Sequence, residues 1–283
     1  MIGPEINTVV NAFHCHALVQ MATLAQATGH TEDARDFDAR ARVAAEAFNR
    51  VLFDPARGLY IDGEGSHHAS LHANLFALVF GLVPPERQGT VADYVESRGM
   101  ACSVYGAGYL LEALYKAGRP AAALRLLTSH EVRSWWHMLD LGSTMTLEAW
   151  DTRFKGNLTW NHAWAASPAY ILSCFVLGVR PLEPGYRKIL VAPQLAELPW
   201  AKGKVPTAHG PVGVQVRPGK VYRLELDLPP GVTARIELPT SDLADNRGPV
   251  LLNGAPATVQ ANKGAFIIDA VPAGCHTLTV GRE

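Results

Sequence analysis

The sequence predicts an α+β chain in two parts. Residues 1–180 are read as helical hairpins of an α/α toroid, and residues 181–283 as an antiparallel β-sandwich. Three observations predict this. Apolar residues recur at helical spacing up to about residue 180. After Gly178 the pattern changes to short β-rich runs punctuated by Pro, Gly and Asn. Helix pairs recur at intervals of roughly 35 to 50 residues, without an exact solenoid repeat.

Val10, Phe13, Ala17, Met21 and Leu24 support a first helix ending near Gly29. Thr31 is the expected N-cap of a second helix, with Glu32 and Asp33 in its first turn. Phe37, Ala41, Ala44, Phe48 and Val51 continue that helix until Asp54-Pro55 stops it. A turn through Arg57-Gly58 leads to an extended piece, LYIDGEG. A third helix is expected from Ser70 to Pro84, and a fourth from Glu86 to Arg98. Val104–Ala117 and Pro120–Ser129 form a fifth and sixth, split at Gly118. Residues 130–160 are mixed, and Trp160–Leu177 reads as a seventh helix containing Pro168. Arg180–Tyr186 is the expected linker. Beyond it, strand runs begin at Lys188, Val212, Val221, Ala234, Pro249, Gly264 and His276. In the third of these, Leu224, Leu226 and Leu228 share one face, opposite Glu225 and Asp227.

The 283 residues carry a net charge of −1 and a pI near 6.8, with both signs scattered. That pattern gives no electrostatic footprint for nucleic acid or an anionic membrane. Cys15, Cys102, Cys174 and Cys275 lie far apart and form no CxxC, so they read as free thiols. The longest apolar stretch, Tyr170–Val179, is too short to span a bilayer. There is no GxSxG, Walker loop or dinucleotide fingerprint, and neither a cofactor nor a metal site is expected. His67-His68-x-x-x-His72 has ligand-like spacing, but lacks a clear carboxylate partner.

The chemistry concentrates between Gly142 and Pro168. Five of the six tryptophans fall at positions 135–164, around the carboxylate Glu148 and the imidazole of His162. Indole faces stack on the C–H surface of a pyranose, while carboxylates and imidazoles bond its hydroxyls. The pattern therefore points to a sugar site. Each residue also has a plainer reading. Glu148 is either a site carboxylate or the partner of Arg153 or Lys155 in a surface ion pair. His162 is a sugar ligand or a helix-start histidine satisfied by a backbone carbonyl. One of Trp135 and Trp136 lines the pocket while its neighbour packs. Trp160 and Trp164, four apart, share a helical face, and Trp160 is a pocket-wall candidate, otherwise core or rim. Asp140 is a polar site candidate or a turn and cap residue. His72 faces the toroid centre or packs beside Asn74 in its helix.

Six segments occur in a family order: NTVVNAF at 7–13, SLHANLFALVFGLVP at 70–84, GYLLEALYKAGRPAAALRLL at 108–127, GSTMTLEAWD at 142–151, NHAWAASPAYIL at 161–172, and GYRKILVAPQL with WAKGKVPTAHGPVGV at 185–214. Together they resemble the α-L-rhamnosidases of glycoside hydrolase family 78. The fourth resembles the family's Gly-Ala/Ser-Thr-Thr-Met-x-Glu-x-Trp region, and the fifth its Asn-His-aromatic helix. The resemblance implies an (α/α)6 barrel that cleaves terminal α-L-rhamnose with inversion. Inversion needs an acid and a base carboxyl roughly 6.5–9.5 Å apart. By the resemblance, Glu148 is the base and His162 touches the sugar.

One departure is large. The family's general acid lies in an Asp-x-x-x-Arg-x-Glu motif upstream of the helix resembling the first one here, and this chain has no such motif. Twelve helices make the barrel, and about seven are read here. The expectation is the C-terminal half of the barrel over 1–180, followed by the β-sandwich over 181–283. Asp62 and Glu64 are the only nearby N-terminal carboxylates to replace the acid, and Gly63 and Gly65 argue for an exposed turn there instead. Two rival readings remain: an inactive piece with a sugar-binding or structural role, and another toroid glycosidase or lyase. The expected ligand is a rhamnose-containing glycoside or polysaccharide. An open half-barrel would expose apolar helix faces, which predicts self-association or binding of an N-terminal portion. The β part supplies only Trp200, Tyr186 and Tyr222 as large amphipathic aromatics, which favours bracing over sugar binding. The N-terminus lacks a basic region and apolar core. With an Ala-, Arg- and Pro-rich composition, that gives a bacterial, cytoplasmic expectation.

Overall fold

Polar caps and left-handed glycines cut the first part of the chain into helices. The structure, a computed structural model, describes residues 5–239, 248–262 and 265–281. It divides into two compact units, Met1–Ala165 and Ala166–Glu283. The first unit is helical and the second β-rich.

In the first unit, α1 spans Thr8–Ala27, and the Asn7 side chain accepts from Val10 N–H at its start. α2 spans Thr31–Val51. Its cap is His30, which makes no side-chain cap bond, and Thr31 is already helical rather than the cap expected of it. The cause is the turn before it. Gly29 takes φ 82°, His30 N–H bonds to Ala25 O, and His30 O accepts from Ala34 N–H. The helix therefore begins one residue early. A two-residue hairpin follows, β1 (Phe53–Asp54) with β2 (Leu59–Tyr60).

α3 (Leu71–Val79) is capped by Ser70, which accepts from Ala73 N–H at 3.1 Å. It stops short of Pro84 because Gly81 turns the chain at φ 71°. A 3-10 turn (Pro85–Arg87) precedes α4 (Gln88–Ser97). α5 (Val104–Lys116) is capped by Ser103, and α6 (Pro120–Leu127) carries Pro at its first position. α7 (Trp135–Asp140) is a short helix in the region read as mixed, capped by the buried Ser134. Leu75, Leu110, Leu111 and Leu114 are fully buried and form the core between α3 and α5. On α1, Val10, Val19, Met21 and Leu24 remain exposed.

The second unit opens with α8 (Ser167–Ile171), followed by a π-helical turn, Leu172–Val176. The helix expected from Trp160 therefore starts only at Ser167. Pro168 occupies the first turn, where its missing N–H costs nothing, and it cannot sit inside a helix that begins eight residues earlier.

Two sheets follow. One contains β5 (Ala201–Val205), β6 (Val212–Arg217), β7 (Tyr222–Leu228), β9 (Val250–Leu252), β10 (Ala255–Pro256) and β13 (Gly274–Val280), in the order β10-β9-β13-β7-β6-β5. The other contains β3 (Val179–Pro181), β4 (Lys188–Val191), β8 (Thr233–Pro239), β11 (Gln260–Asn262) and β12 (Ala265–Val271), in the order β11-β12-β8-β4-β3. Pairing is antiparallel except between β4 and β8, which run parallel, so the all-antiparallel expectation is corrected at one pair. Arg180 and Pro181 belong to β3 rather than to a linker, because β3 pairs with Ile189–Val191. In β7, Leu224, Leu226 and Leu228 are buried, opposite Glu225 and Asp227 as expected. Residues 1–4 of the N-terminal reading, and the run ends at Gly264 and Arg282, lie outside the described residues. Among the described residues, no helix is long and apolar enough to cross a membrane.

Asn74 is the polar pin of the helical unit. Fully buried on α3, it accepts from Tyr60 N–H and donates to Tyr60 O, both at 2.9 Å, and donates to Ser70 O at 3.0 Å. It fastens β2 to α3. Asn74→Ala would strand the Tyr60 amide and carbonyl in the core, at a cost of about 1–3 kcal/mol for each group left unpaired. Chemical denaturation should show that loss, and a change below about 0.5 kcal/mol would rule out the pinning role.

Candidate active site

The segment between α7 and α8 has almost no regular structure, yet it is held at several points. Glu148 N–H donates to Thr159 O at 3.1 Å, and His162 N–H to Thr146 O at 2.8 Å. The Thr146 hydroxyl donates to His162 O at 2.7 Å. These bonds bring residues 146–148 alongside 159–162. Trp150 is buried and its indole N–H donates to Cys102 O at 2.8 Å, which fixes the segment to the start of α5. Trp135 meets Trp150 edge-on at 5.1 Å and donates its own N–H to Ala165 O at 2.7 Å.

Glu148 sits in this segment rather than at a helix end. One carboxylate oxygen pairs with Lys155 Nζ. The other accepts from Thr159 N–H at 3.0 Å and lies 3.3 Å from the Thr159 hydroxyl. That hydroxyl is also 2.9 Å from His162 Nδ1. Its single proton serves either Glu148 or the imidazole, so the three side chains form one hydrogen-bonded row whose polarity depends on the histidine tautomer. The Lys155 hydrogen bond, then the Thr159 amide, hold the Glu148 carboxyl down at about 2, against an ordinary 4.5. The ion-pair reading of Glu148 is thus realised through Lys155. Arg153 goes elsewhere.

Arg153 belongs to Asp151. Its guanidinium donates to Asp151 at 3.0 and 2.6 Å, and its own amide bonds the other carboxylate oxygen at 2.9 Å. His137 Nε2 lies 2.8 Å from the same aspartate. Arg153's hydrogen bonds hold the Asp151 carboxyl well below the usual range, with His137 adding to the effect. Sequence reasoning passed over Asp151, His137 and Thr159. The Asp-Thr-Arg turn directly after Trp150 was the available signal.

A cavity of about 460 Å³ opens beside Glu148, lined among others by His72, Arg133, Trp150, Phe154 and Lys155. Burial pushes the His72 imidazole pKa down, against the opposing charge of Asp62. His162 does not line this cavity but connects through Thr159 to Glu148, which does. Trp164 packs edge-on to His162 at 4.7 Å and tilts against Tyr105 at 5.6 Å. Trp160 is 50 % exposed in a bend. It shares no helical face with Trp164, because no helix runs between them. Trp136 is exposed and tilts against His130 at 4.3 Å. Trp135, half-buried, is the packing member of that pair. Asp140 ends α7, exposed, and its side chain makes no hydrogen bond or ion pair among the described residues. Asp62 accepts from Ser70 N–H at 2.7 Å and pairs with His68 at 2.5 Å. Burial works to raise its pKa, but the bonds from Ser70 and His68 outweigh that and lower it. Glu64 is exposed. Among the described residues no group of three or more His, Cys, Asp or Glu is placed to hold a metal.

A family model of the bacterial alpha-L-rhamnosidase 6 hairpin glycosidase domain matches residues 3–175, and one of the bacterial alpha-L-rhamnosidase C-terminal domain matches residues 178–249. An alpha-L-rhamnosidase of Alteromonas sp. (strain LOR) is 26% identical over 224 residues, covering 74% of this chain and 24% of the relative. The alpha-L-rhamnosidase structure from Dictyoglumus thermophilum aligns with a TM-score of 0.83 at 18% identity, over 96% of this chain and 31% of that one. The Streptomyces avermitilis alpha-L-rhamnosidase complexed with L-rhamnose aligns at 0.77 and 22% identity, over 98% and 28%. These likenesses show the fold. The chain spans about a quarter of the length of the curated relative.

Lys155→Met should let the Glu148 carboxyl rise from about 2 towards its ordinary 4.5, as read by carboxyl carbon NMR. The stability that goes with it has a definite sign. A depressed carboxyl stabilises the fold above its unfolded pKa, and the contribution is lost as pH falls from 4.5 through 2. The variant should lose part of that acid-side dependence. An unmoved Glu148 titration would remove Lys155 as its cause.

Proposed function

The chain belongs to the bacterial alpha-L-rhamnosidases, and from that premise we propose that it carries the base side of an inverting rhamnosidase site. It would form part of an (α/α)6 barrel followed by a β-sandwich. Glu148 would take a proton from water for attack at the anomeric carbon, and His162 would bond a hydroxyl of the rhamnose ring. The observation that carries this reading is the Glu148–Thr159–His162 row beside the cavity. It joins the family's base position to its sugar-contacting position through one hydroxyl.

The leaving oxygen needs a proton from a second carboxyl. Such an acid is kept protonated by a raised pKa. Among the described residues, the carboxyls with a clear shift are Asp54, Asp62, Glu148 and Asp151, and all four are lowered. We therefore assign the acid to none of these four.

The Lys155 pair favours a second reading, in which these residues bind sugar or brace a larger barrel without catalysing. A carboxylate held at about 2 is a weak base.

The two readings separate on a longer chain that also contains a family general acid. There, Glu148→Gln should lower L-rhamnose release from an aryl α-L-rhamnoside by about 10²–10⁴-fold, and the initial product should be the β anomer by NMR. A change of less than about threefold would end the base assignment. For the 283 residues alone, the expectation is no turnover. L-rhamnose should still bind by calorimetry, weakened by His162→Ala.

A further inference from the structure

We propose that His72 is a second sugar-contacting histidine, whose imidazole bonds a ring hydroxyl of the substrate from α3, outside the segment that carries Glu148 and His162. The inference rests on the rhamnosidase reading of those two residues. It starts from the cavity of about 460 Å³ beside Glu148.

Val104, Trp150 and Phe154 give that cavity its apolar wall. The polar side chains around it are mostly spent. Lys155 bonds Glu148, and Arg133 lies over the Phe154 ring at 5.0 Å and reaches Met100 O. The Trp150 N–H donates to Cys102 O at 2.8 Å, and the Ser103 hydroxyl accepts from Gly106 N–H at 3.2 Å. His72 lines the same cavity, half-buried, and its imidazole makes no hydrogen bond or ion pair among the described residues. A ligand hydroxyl in the cavity would meet that unused capacity.

The ring is placed before any ligand arrives. His72 sits in the first turn of α3, and the start of that helix is held at three points. Asp62 accepts from Ser70 N–H at 2.7 Å, Asn74 donates to Ser70 O at 3.0 Å, and Tyr94 donates to Ala69 O at 2.6 Å. Burial keeps the imidazole neutral against the pull of Asp62, and the positive end of the helix works in the same direction as burial. A neutral imidazole offers one N–H donor and one acceptor nitrogen. That pair fits a hydroxyl, which also donates and accepts, better than a carboxylate, which only accepts. The plain alternative is that His72 only packs near Phe76, whose ring lies 6.4 Å away.

The test is calorimetric titration of the whole chain with L-rhamnose, and with analogues that each lack one ring hydroxyl. His72→Leu keeps the bulk and removes both nitrogens, and should weaken L-rhamnose binding about tenfold. His72→Gln keeps a donor and an acceptor, and should stay within about threefold of the wild type. One analogue should bind the wild type about tenfold more weakly than L-rhamnose does, yet bind His72→Leu as well as L-rhamnose does, because the same contact is lost in both. Unchanged melting curves would show that the variants fold. If His72→Leu does not fold, saturating L-rhamnose should still shift the His72 ring signals in proton–nitrogen NMR spectra of the wild-type chain. Equal affinity of the wild type and His72→Leu, with His162→Ala still weakening binding, overturns this proposal and leaves the rhamnosidase reading standing. A loss in His72→Leu that is the same for L-rhamnose and every analogue, or unmoved His72 signals, also overturns it. Absence of L-rhamnose binding by the wild type overturns both.

Discussion

The candidate site depends on the closure of one irregular segment. Residues 146–148 and 159–162 are joined by two backbone bonds and the Thr146 hydroxyl. Such a segment has little intrinsic reason to hold one shape, because fixing each residue costs about 1–2 kcal/mol of backbone entropy. Trp150 and Trp135 supply the compensation. One indole is buried against the start of α5, the other bridges to Ala165, and both N–H groups find carbonyl partners. If either anchor failed, Glu148 and His162 would lose their common frame.

Two carboxylates in this segment are handled differently. Asp151 is almost closed off, with its carboxylate bonded by Arg153, Thr152 and His137. That is how a structural carboxylate is made tolerable in a dry setting. Glu148 has one lysine and one threonine, and it faces a cavity. Both have depressed pKa values, so depression alone does not distinguish the roles. On the proposed function, access to open space separates them.

Local signals in the sequence were readable where one residue settles the outcome. The helices expected from Ser70 and Val104 start within a residue of those positions, where Ser70 and Ser103 each accept from an amide three residues on. The leucines of β7 face inward because alternation permits nothing else. Signals failed where a distant partner decides. β3 is only three residues long, and nothing local marks Arg180-Pro181 as a strand before β4 pairs with it. The parallel β4–β8 pair joins residues more than forty apart in sequence. Trp160 and Trp164 satisfied helical spacing, but the bonds from Thr146 and Thr159 draw His162 into a different arrangement. At the site, the types of Glu148 and His162 pointed to sugar chemistry. Thr159, which connects them, carries no signal of its own in a single sequence.

The same contacts that hold Glu148 in place limit it as a base. General-base catalysis is most effective when the pKa lies near the working pH, and a carboxylate at about 2 is far from that. The largest cause is the bond from Lys155, a residue that also lines the cavity. A ligand entering there would meet the ammonium and the carboxylate together. Ring or leaving-group oxygens that accept from Lys155 would draw it off Glu148 and leave the carboxylate held by Thr159 alone. Exclusion of water would then push the Glu148 pKa upward, since burial already opposes the depression. On the proposed function, Lys155 would hold the resting Glu148 as a latched base until a substrate drew it away.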